Sequence, residues 1–176
     1  MSWFIVGLLG CNEYNLHEPP VVPPAEPPGI PEQGFGGPPD WQDCQGGWLA
    51  RYSNLSVEHP DVTPGINPPI YDDPEMVDWW DDLAYQQFEP ALDFGQNWWP
   101  VDDGMAEDPA YFAVSWVAWL RAWDDTTLQF ILGNSDDAWV HLDETPIAER
   151  PGIQPYTDVV FNVDVESGQY PIWIRY

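Results

Sequence analysis

Consecutive aspartates are the residues in this sequence whose type and spacing could do chemistry. The chain carries 30 Asp and Glu residues, and its Asp-Asp pairs lie at 72–73, 81–82, 102–103, 124–125 and 136–137. Adjacent carboxylates can coordinate Ca²⁺, a hard cation that takes six to eight oxygen ligands. Two carboxylates that flank a glycosidic bond can also hydrolyse it. The alternative is that each pair is a solvated turn whose side chains bond their own backbone.

Catalysis has little support in the sequence. The three histidines, His17, His59 and His141, show neither metal-ligand nor catalytic-triad spacing. Nothing selects two of the 30 carboxylates as a general acid and its partner. The sequence therefore predicts no catalytic residues and favours a binding module over an enzyme.

The net charge of the chain limits the classes of partner that it can bind. Four Lys and Arg residues against 30 Asp and Glu give a formal net charge of -26. Nucleic-acid binding is excluded because a phosphate backbone needs a basic face, and anionic membrane surfaces are disfavoured for the same reason. Such a chain suits cations, neutral polar ligands such as sugars, or basic partners. The alternative is that the charge only keeps a Trp-rich exported protein soluble.

The N-terminus has the pattern of an export signal. An apolar run at residues 4–9, too short to span a bilayer, leads into Leu8-Leu9-Gly10-Cys11. This motif resembles the lipobox of bacterial lipoproteins, which implies that residues 1–11 are a signal segment and that Cys11 is lipidated. The basic residue that usually precedes such a run is absent, and a partly buried N-terminal strand is the alternative. A disulfide between Cys11 and Cys44 also stays open.

Residues 12–40 are predicted to form an extended spacer. They carry nine prolines, mostly in pairs. Because proline fixes φ and removes backbone donors, such a segment favours a polyproline-like conformation and forms no sheet ladder. Signal, cysteine and spacer together predict an exported protein at the cell surface or outer membrane, whose only membrane contact is its lipid anchor.

Residues 41–176 are predicted to fold as one all-β domain, an antiparallel β-sandwich. Apolar side chains alternate with period two in several runs separated by turns, which is typical of strands with one buried face. The clearest run is a final hairpin over 159–176 that turns at Ser167-Gly168. Pro171 interrupts its ladder, which predicts an edge strand or an exposed position. The residues predicted to be buried are Val114, Trp116, Leu128, Phe130, Val140, Leu142, Phe161, Val163, Ile172 and Ile174, and burial of Gln129, Asn162 and Arg175 would indicate the opposite faces.

Residues 55–110 are less regular and are predicted to form long loops with short strands near 85–88 and 94–99. Two tryptophan pairs, at 79–80 and 98–99, are expected to divide between core and rim. Stacking on sugar rings is the alternative for each of them.

One stretch of the domain resembles a known family. Asn134-Ser135-Asp136-Asp137-Ala138-Trp139-Val140-His141-Leu142-Asp143 is similar to the central signature of PA14 domains, closest to their fibro-slime branch. Gly47-Trp48-Leu49-Ala50-Arg51-Tyr52 resembles their opening strand, and residues 163–176 resemble their closing hairpin. The likeness covers about residues 46 to 176 and is weak between 53 and 110. The family usually has Asp-Gly where this chain has Asp143-Glu144.

The resemblance implies a carbohydrate-binding β-sandwich. In the lectin members of the family, two consecutive aspartates hold Ca²⁺, which coordinates sugar hydroxyls; here these are Asp136 and Asp137. Asn134 is added as a helper by proximity, and Trp139 completes the predicted ligand-binding set. The sequence therefore predicts a non-catalytic surface adhesion module that binds carbohydrate or an extracellular polymer. The alternative is a structural surface or matrix subunit that binds other proteins.

Overall fold

The computed structural model describes residues 46–62, 70–94 and 111–176. The lipobox-like motif, Cys11, Cys44, the proline-rich segment and Trp98–Trp99 lie outside these ranges, so the predictions made for them stay predictions. Within the described residues no helix has the length and apolar composition needed to cross a bilayer.

The described chain is an antiparallel all-β fold, as the alternation predicted. Its strands are β1 (Trp48–Asn54), β2 (Leu83–Glu89), β3 (Phe112–Ala122), β4 (Thr126–Asn134), β5 (Ala138–Leu142), β6 (Thr145–Arg150), β7 (Thr157–Val165) and β8 (Gly168–Arg175), with a 3₁₀ helix at Pro74–Met76. β2 confirms the strand predicted near 85–88. Of the strand predicted at 94–99, only Phe94 is described, and it lies outside regular structure.

The strands form two sheets that pack face to face. A six-stranded sheet has the order β2-β1-β3-β8-β5-β6, and β4 pairs with β7 in a second sheet. Leu128 and Val165 of the small sheet pack in one cluster with Val114, Val140 and Ile172 of the large one. Each such fully buried side chain stabilises the fold by about 1.5–3 kcal/mol, so the interior between the sheets is the main core.

The predicted faces are confirmed for the strands that line this core. Gln129 and Asn162 are exposed, as the opposite faces of β4 and β7 should be. Phe130 stacks on Phe161 with ring centroids 5.2 Å apart. Six of the predicted core residues are buried and four are half-buried: Val114, Trp116, Leu128, Val140, Leu142 and Ile172, then Phe130, Phe161, Val163 and Ile174.

The predicted final hairpin is wrong, because β7 and β8 belong to different sheets. β7 pairs with β4, whereas β8 pairs with β3 and β5. The two strands face each other across the core. The prediction failed because alternation in the sequence indicates which side of a strand is buried but not which strand it is hydrogen-bonded to. At the end where the chain changes sheets, the Asp125 carboxylate accepts a 2.9 Å hydrogen bond from the Ser167 amide.

Pro171 lies in a central strand and is half-buried, whereas the sequence predicted an edge strand or an exposed position. Its carbonyl accepts a 2.7 Å hydrogen bond from the Asp143 amide, at the point where β5 ends. Since the N–H and C=O of one residue point to the same side of a strand, the missing donor of Pro171 faces the end of β5. The sheet therefore loses few hydrogen bonds at this position, and a proline is tolerated.

Arg175 is buried, contrary to the expectation for an outward position, because part of the outer face of the large sheet is covered. The segment that precedes β2 lays Trp79 and Trp80 over Ala113 and Trp139. Both tryptophans are 7% exposed, so this pair does not divide between core and rim and cannot stack on a sugar.

The Asp61 carboxylate is one anchor of this covering segment. The Asp61 side chain accepts a 2.7 Å hydrogen bond from Trp79 Nε1 and a 3.2 Å bond from the Tyr71 hydroxyl. In the described part of the chain, this segment covers only some of the outer face of the sheet.

Candidate functional site

The Asp136–Asp137 loop joins β4 to β5 and is held from several sides. The Asp137 carboxylate accepts a hydrogen bond from the Gly152 amide, and Asp136 Oδ1 accepts a 2.9 Å bond from the Asp137 amide. Asn134 donates through its side chain to the Asp136 carbonyl. Asn134 and Asp137 are each 4% exposed, so most of the polar groups of this loop are turned to the protein.

The Arg150 side chain binds to the Asn134 side of this loop. The Arg150 guanidinium donates to Asn134 Oδ1 at 2.7 Å, to the Asn134 carbonyl at 3.3 Å and to the Thr157 carbonyl at 2.6 Å. These are hydrogen bonds to a charged donor, which are among the stronger ones in proteins. The amide oxygen predicted to help hold a metal ion is therefore already bonded to a positive side chain.

The oxygen atoms around the loop do not complete the coordination shell of a calcium ion. Asp136 and Asp137 supply two carboxylates, and one oxygen of each already accepts a hydrogen bond from a backbone amide. The side-chain oxygen of Asn134 already accepts a hydrogen bond from Arg150. No cluster of three or more His, Cys, Asp or Glu side chains suited to a metal occurs in residues 46–62, 70–94 and 111–176. Since Ca²⁺ takes six to eight oxygens, the described residues fit the ion only in part.

One carboxylate of the pair, that of Asp137, has a raised pKa. Burial raises the pKa of Asp137 from 3.8 to about 6, and the neighbouring Asp136 charge adds to the rise. The Gly152 amide acts in the opposite direction, because it donates to the ionised carboxylate. Near neutral pH the buried Asp137 carboxylate is therefore charged, which lowers the stability of the fold.

Trp139 is not the ligand-binding residue that the sequence predicted. Its side chain is fully buried, and its ring centroid lies 6.1 Å from those of both Trp79 and Trp80. The prediction failed because both faces of β5 are covered here, one by the core and the other by the tryptophan pair. The indole packs inside the fold and presents no surface to a sugar.

The described residues also form a groove of about 660 Å³ on the outer face of the large sheet. The register of the large sheet builds its floor. Trp119 of β3 lies beside Pro171 of β8, and Trp173 of β8 lies between Val117 and His141 of the flanking strands. These side chains project outward because they alternate with the core residues of the same strands.

Two short segments form the walls of the groove. On one side Asp73 caps the 3₁₀ helix by accepting a 2.9 Å bond from the Glu75 amide. Glu75 Oε1 in turn accepts a 2.6 Å bond from Arg175, which fixes the helix to β8. On the other side stands the turn between β5 and β6, whose residues Asp143 and Glu144 line the groove. Asp143 has φ 56°, a left-handed conformation that Asp tolerates better than most residues.

The floor of the groove is aromatic, and the Arg175 guanidinium lies 4.9 Å from the centroid of the Trp173 ring. His141 stacks on Trp173 with ring centroids 3.7 Å apart and planes within 8°. Burial lowers the pKa of His141, and the nearby Arg175 charge lowers it further, so the imidazole is uncharged at neutral pH. Two polar atoms of groove residues, His141 Nδ1 and Gln169 Oε1, are buried without a hydrogen-bond partner in the described structure.

Sequence reasoning missed this groove, although part of its signal was present. Trp119 and Trp173 occupy outward positions of two alternating strands, where a large aromatic side chain has no core to fill. Their proximity depends on the pairing of β3 with β8, and the wall at 73–75 comes from a segment without periodicity. The structure thus brings together residues from four places in the chain.

No protein-family model matches this chain, and no curated protein sequence matches it. A solved structure of a GH31 α-xylosidase from Xanthomonas citri is similar over 75% of this chain, with a TM-score of 0.46 and 15% identity. A β-glucosidase from Kluyveromyces marxianus, solved in complex with glucose, is similar over 79% of the chain, with a TM-score of 0.44 and 12% identity. The chain spans 12% and 14% of the lengths of these two proteins, and a likeness at these scores bears on neither fold family nor activity.

Proposed function

We propose that the protein is an exported, non-catalytic module that binds carbohydrate in the groove on the outer face of its large sheet. The observation that carries the proposal is the groove itself, whose lining includes Trp119 and Trp173 together with the carboxylates of Asp73, Asp143 and Glu144. Ligand sites in proteins typically combine an apolar aromatic surface with a few polar groups that fix orientation.

The groove residues suit the two kinds of surface that a sugar presents. The C–H face of a pyranose ring is apolar and can pack against the indoles of Trp119 and Trp173. The hydroxyl groups at the ring edge are donors, and ionised carboxylates are pure acceptors. The buried atoms without a partner, His141 Nδ1 and Gln169 Oε1, belong to the same groove and favour a polar occupant, since such atoms are uncommon in folded proteins.

The absence of catalysis is part of the proposal. Glycoside hydrolysis uses a carboxylic acid whose raised pKa lets it protonate the leaving group at the bond to be broken. The carboxyl of this kind in the described structure, Asp137, is buried against Gly152 and does not line the groove. The carboxyl with this raised pKa therefore lies outside the groove proposed to hold a sugar.

Placement at the cell surface through a lipidated Cys11, and membership of the PA14 family, remain inferences from the sequence. They are compatible with a binding module carried on a spacer, and they add a location to the proposed activity. Labelling of the expressed protein with a radioactive fatty acid, with a Cys11→Ser variant as control, tests the anchor directly.

Substitution of the groove tryptophans tests the binding proposal. We expect Trp173→Ala and Trp119→Ala each to weaken binding of the best oligosaccharide in a glycan panel by about tenfold or more, the loss of one aromatic contact. Tyr156→Ala is the control, because Tyr156 is exposed but does not line the groove. Circular dichroism establishes that each variant is folded. Unchanged binding by both folded tryptophan variants would contradict the proposal.

A structural surface subunit that contacts other proteins is the second candidate function. Ile131 of β4 and Val160 of β7 are cross-strand neighbours that are 67% and 55% exposed. An exposed apolar pair on the open face of the small sheet suits a protein contact. Sedimentation of the wild type and of Ile131→Asp tests this role, since an association through this face should be lost in the variant.

A further inference from the structure

Two hydrogen bonds attach the tip of the β6–β7 loop, residues 151–155, to the β4–β5 loop. The Gly152 amide donates to the Asp137 carboxylate, and the Gln154 amide donates to the Ser135 carbonyl at 2.9 Å. The bond between Gly152 and Asp137 is buried, and Asp137 as a whole is only 4% exposed. The tip is therefore attached to the protein through an acidic side chain that is shielded from water.

The tip has little apolar contact of its own with the protein. Ile153 is 66% exposed, and Tyr156, which follows the tip, is 58% exposed. The base of the loop is held independently, since the Arg150 guanidinium donates to the Thr157 carbonyl at 2.6 Å. Segments with few buried apolar contacts are those that open locally at the smallest cost in free energy. The tip can therefore open while the strands on both sides of it stay in place.

The groups around Asp137 do not compensate a negative charge on its carboxylate. Asp136, its neighbour in the same loop, brings a second negative charge. Arg150 on β6 directs its guanidinium to Asn134. At the end of β8, the Tyr176 phenol faces the two aspartates, and burial raises its pKa, so that it is uncharged near neutral pH. No residue of the tip carries a charge.

The closed tip therefore suits a protonated Asp137 better than an ionised one. The neutral acid avoids the cost of a buried charge beside a like charge. Burial raises the pKa of Asp137 from 3.8 to about 6, and the charge of Asp136 adds to the rise. In the open tip the carboxylate is hydrated, and its pKa returns toward the ordinary value. A pKa that is raised in the closed state favours closing at low pH, and this preference is lost as the pH rises through about 6.

We infer that the contact between Asp137 and Gly152 is a pH-sensitive latch, which holds the tip of the β6–β7 loop closed when Asp137 is protonated and releases it more often when Asp137 is ionised. The latch is independent of carbohydrate binding, because neither residue lines the groove. It makes the loop a regulated element that tightens in mildly acidic surroundings and loosens at neutral pH.

Amide hydrogen exchange of the whole chain, followed by NMR, tests the latch. Each rate is corrected for the intrinsic effect of pH and expressed as a protection factor. We expect the protection of the Gly152 and Gln154 amides to fall about tenfold between about pH 4.5 and pH 7.5, less than the full pKa difference allows because solvent screens the charge. In Asp137→Asn the same factors should change about twofold or less. In Asp136→Asn the fall should move to lower pH, since one cause of the raised pKa is removed.

Two controls separate the latch from a general effect of charge. Glu149→Gln removes an exposed carboxylate of β6 and should keep the pH dependence of the wild type. The Val114 amide, which donates to the Tyr176 carbonyl at 2.7 Å beside the core, reports opening of the whole fold. An equal fall in protection at Val114 would mean that the charge loosens the entire domain, and would overturn the latch. A pH dependence at Gly152 and Gln154 that persists in Asp137→Asn would overturn it as well.

Discussion

Replacement of Asp137 by Asn is expected to stabilise the protein near neutral pH. The folded state raises the pKa of this carboxyl from 3.8 to about 6, mainly because the group is buried. Its contribution to stability is therefore fully present below pH 3.8, where the carboxyl is protonated in both states, and is lost as the pH rises through about 6. Asn has no charge to bury, and its side-chain oxygen can still accept from the Gly152 amide.

The size of the effect follows from the two pKa values. The full difference corresponds to about 3 kcal/mol, at 1.36 kcal/mol for each pKa unit. Because Asp136 is only half-buried, solvent screening reduces the expected effect to about 1–2 kcal/mol. The wild type should lose this amount relative to Asp137→Asn between about pH 4 and pH 7.

Urea unfolding followed by tryptophan fluorescence measures the difference at both pH values. The other carboxylates also change charge over this interval, so the informative quantity is the free energy of unfolding of the variant minus that of the wild type. Glu149→Gln is the control, since it removes one exposed carboxylate, and it should show little dependence on pH. A variant that is less stable than the wild type at about pH 7 would refute the reasoning, because the ionised carboxylate would then have a favourable partner.

Two further predictions concern the same loop. Arg150→Ala should lower the free energy of unfolding by about 2–3 kcal/mol in urea titrations, because it leaves the buried Asn134 side chain without its charged donor; a loss below about 0.5 kcal/mol would show that this contact is incidental. Calcium should raise the melting temperature no more than magnesium does, and Asp136→Asn/Asp137→Asn should respond as a matched double variant at the exposed pair 81–82 does. A calcium-specific rise that only the Asp136–Asp137 double variant loses would restore the metal site that the resemblance implies.

The parts of the fold that follow from alternation could be predicted from the sequence. The buried faces of β3, β4 and β5 emerge from period two alone, because a half-buried strand must place every second residue on one side. The sheet to which each strand belongs does not emerge in this way. β7 and β8 alternate equally well whether they pair with each other or face each other across the core, and only the structure separates the two arrangements.

The burial of Arg175 and Trp139 could not be predicted because it depends on a segment without periodicity. Asp61 holds Trp79 and its neighbour over the outer face of β5 and β8, and this contact between distant residues leaves no local pattern. The same segment positions the 3₁₀ helix that forms one wall of the groove. The sequence motif predicted a site at the Asp136–Asp137 loop, whereas the groove lies on the outer face of the large sheet.

The most direct test of the groove is the map of NMR chemical shifts when the best oligosaccharide of the glycan panel is added to isotope-labelled protein. Binding in the groove predicts changes at the indole N–H signals of Trp119 and Trp173 and at the backbone amides of 143–144, with little change at 135–137. Changes confined to the amides of 135–137 would place the ligand at the aspartate loop instead. A spectrum unchanged at saturating sugar would contradict a carbohydrate site in the groove.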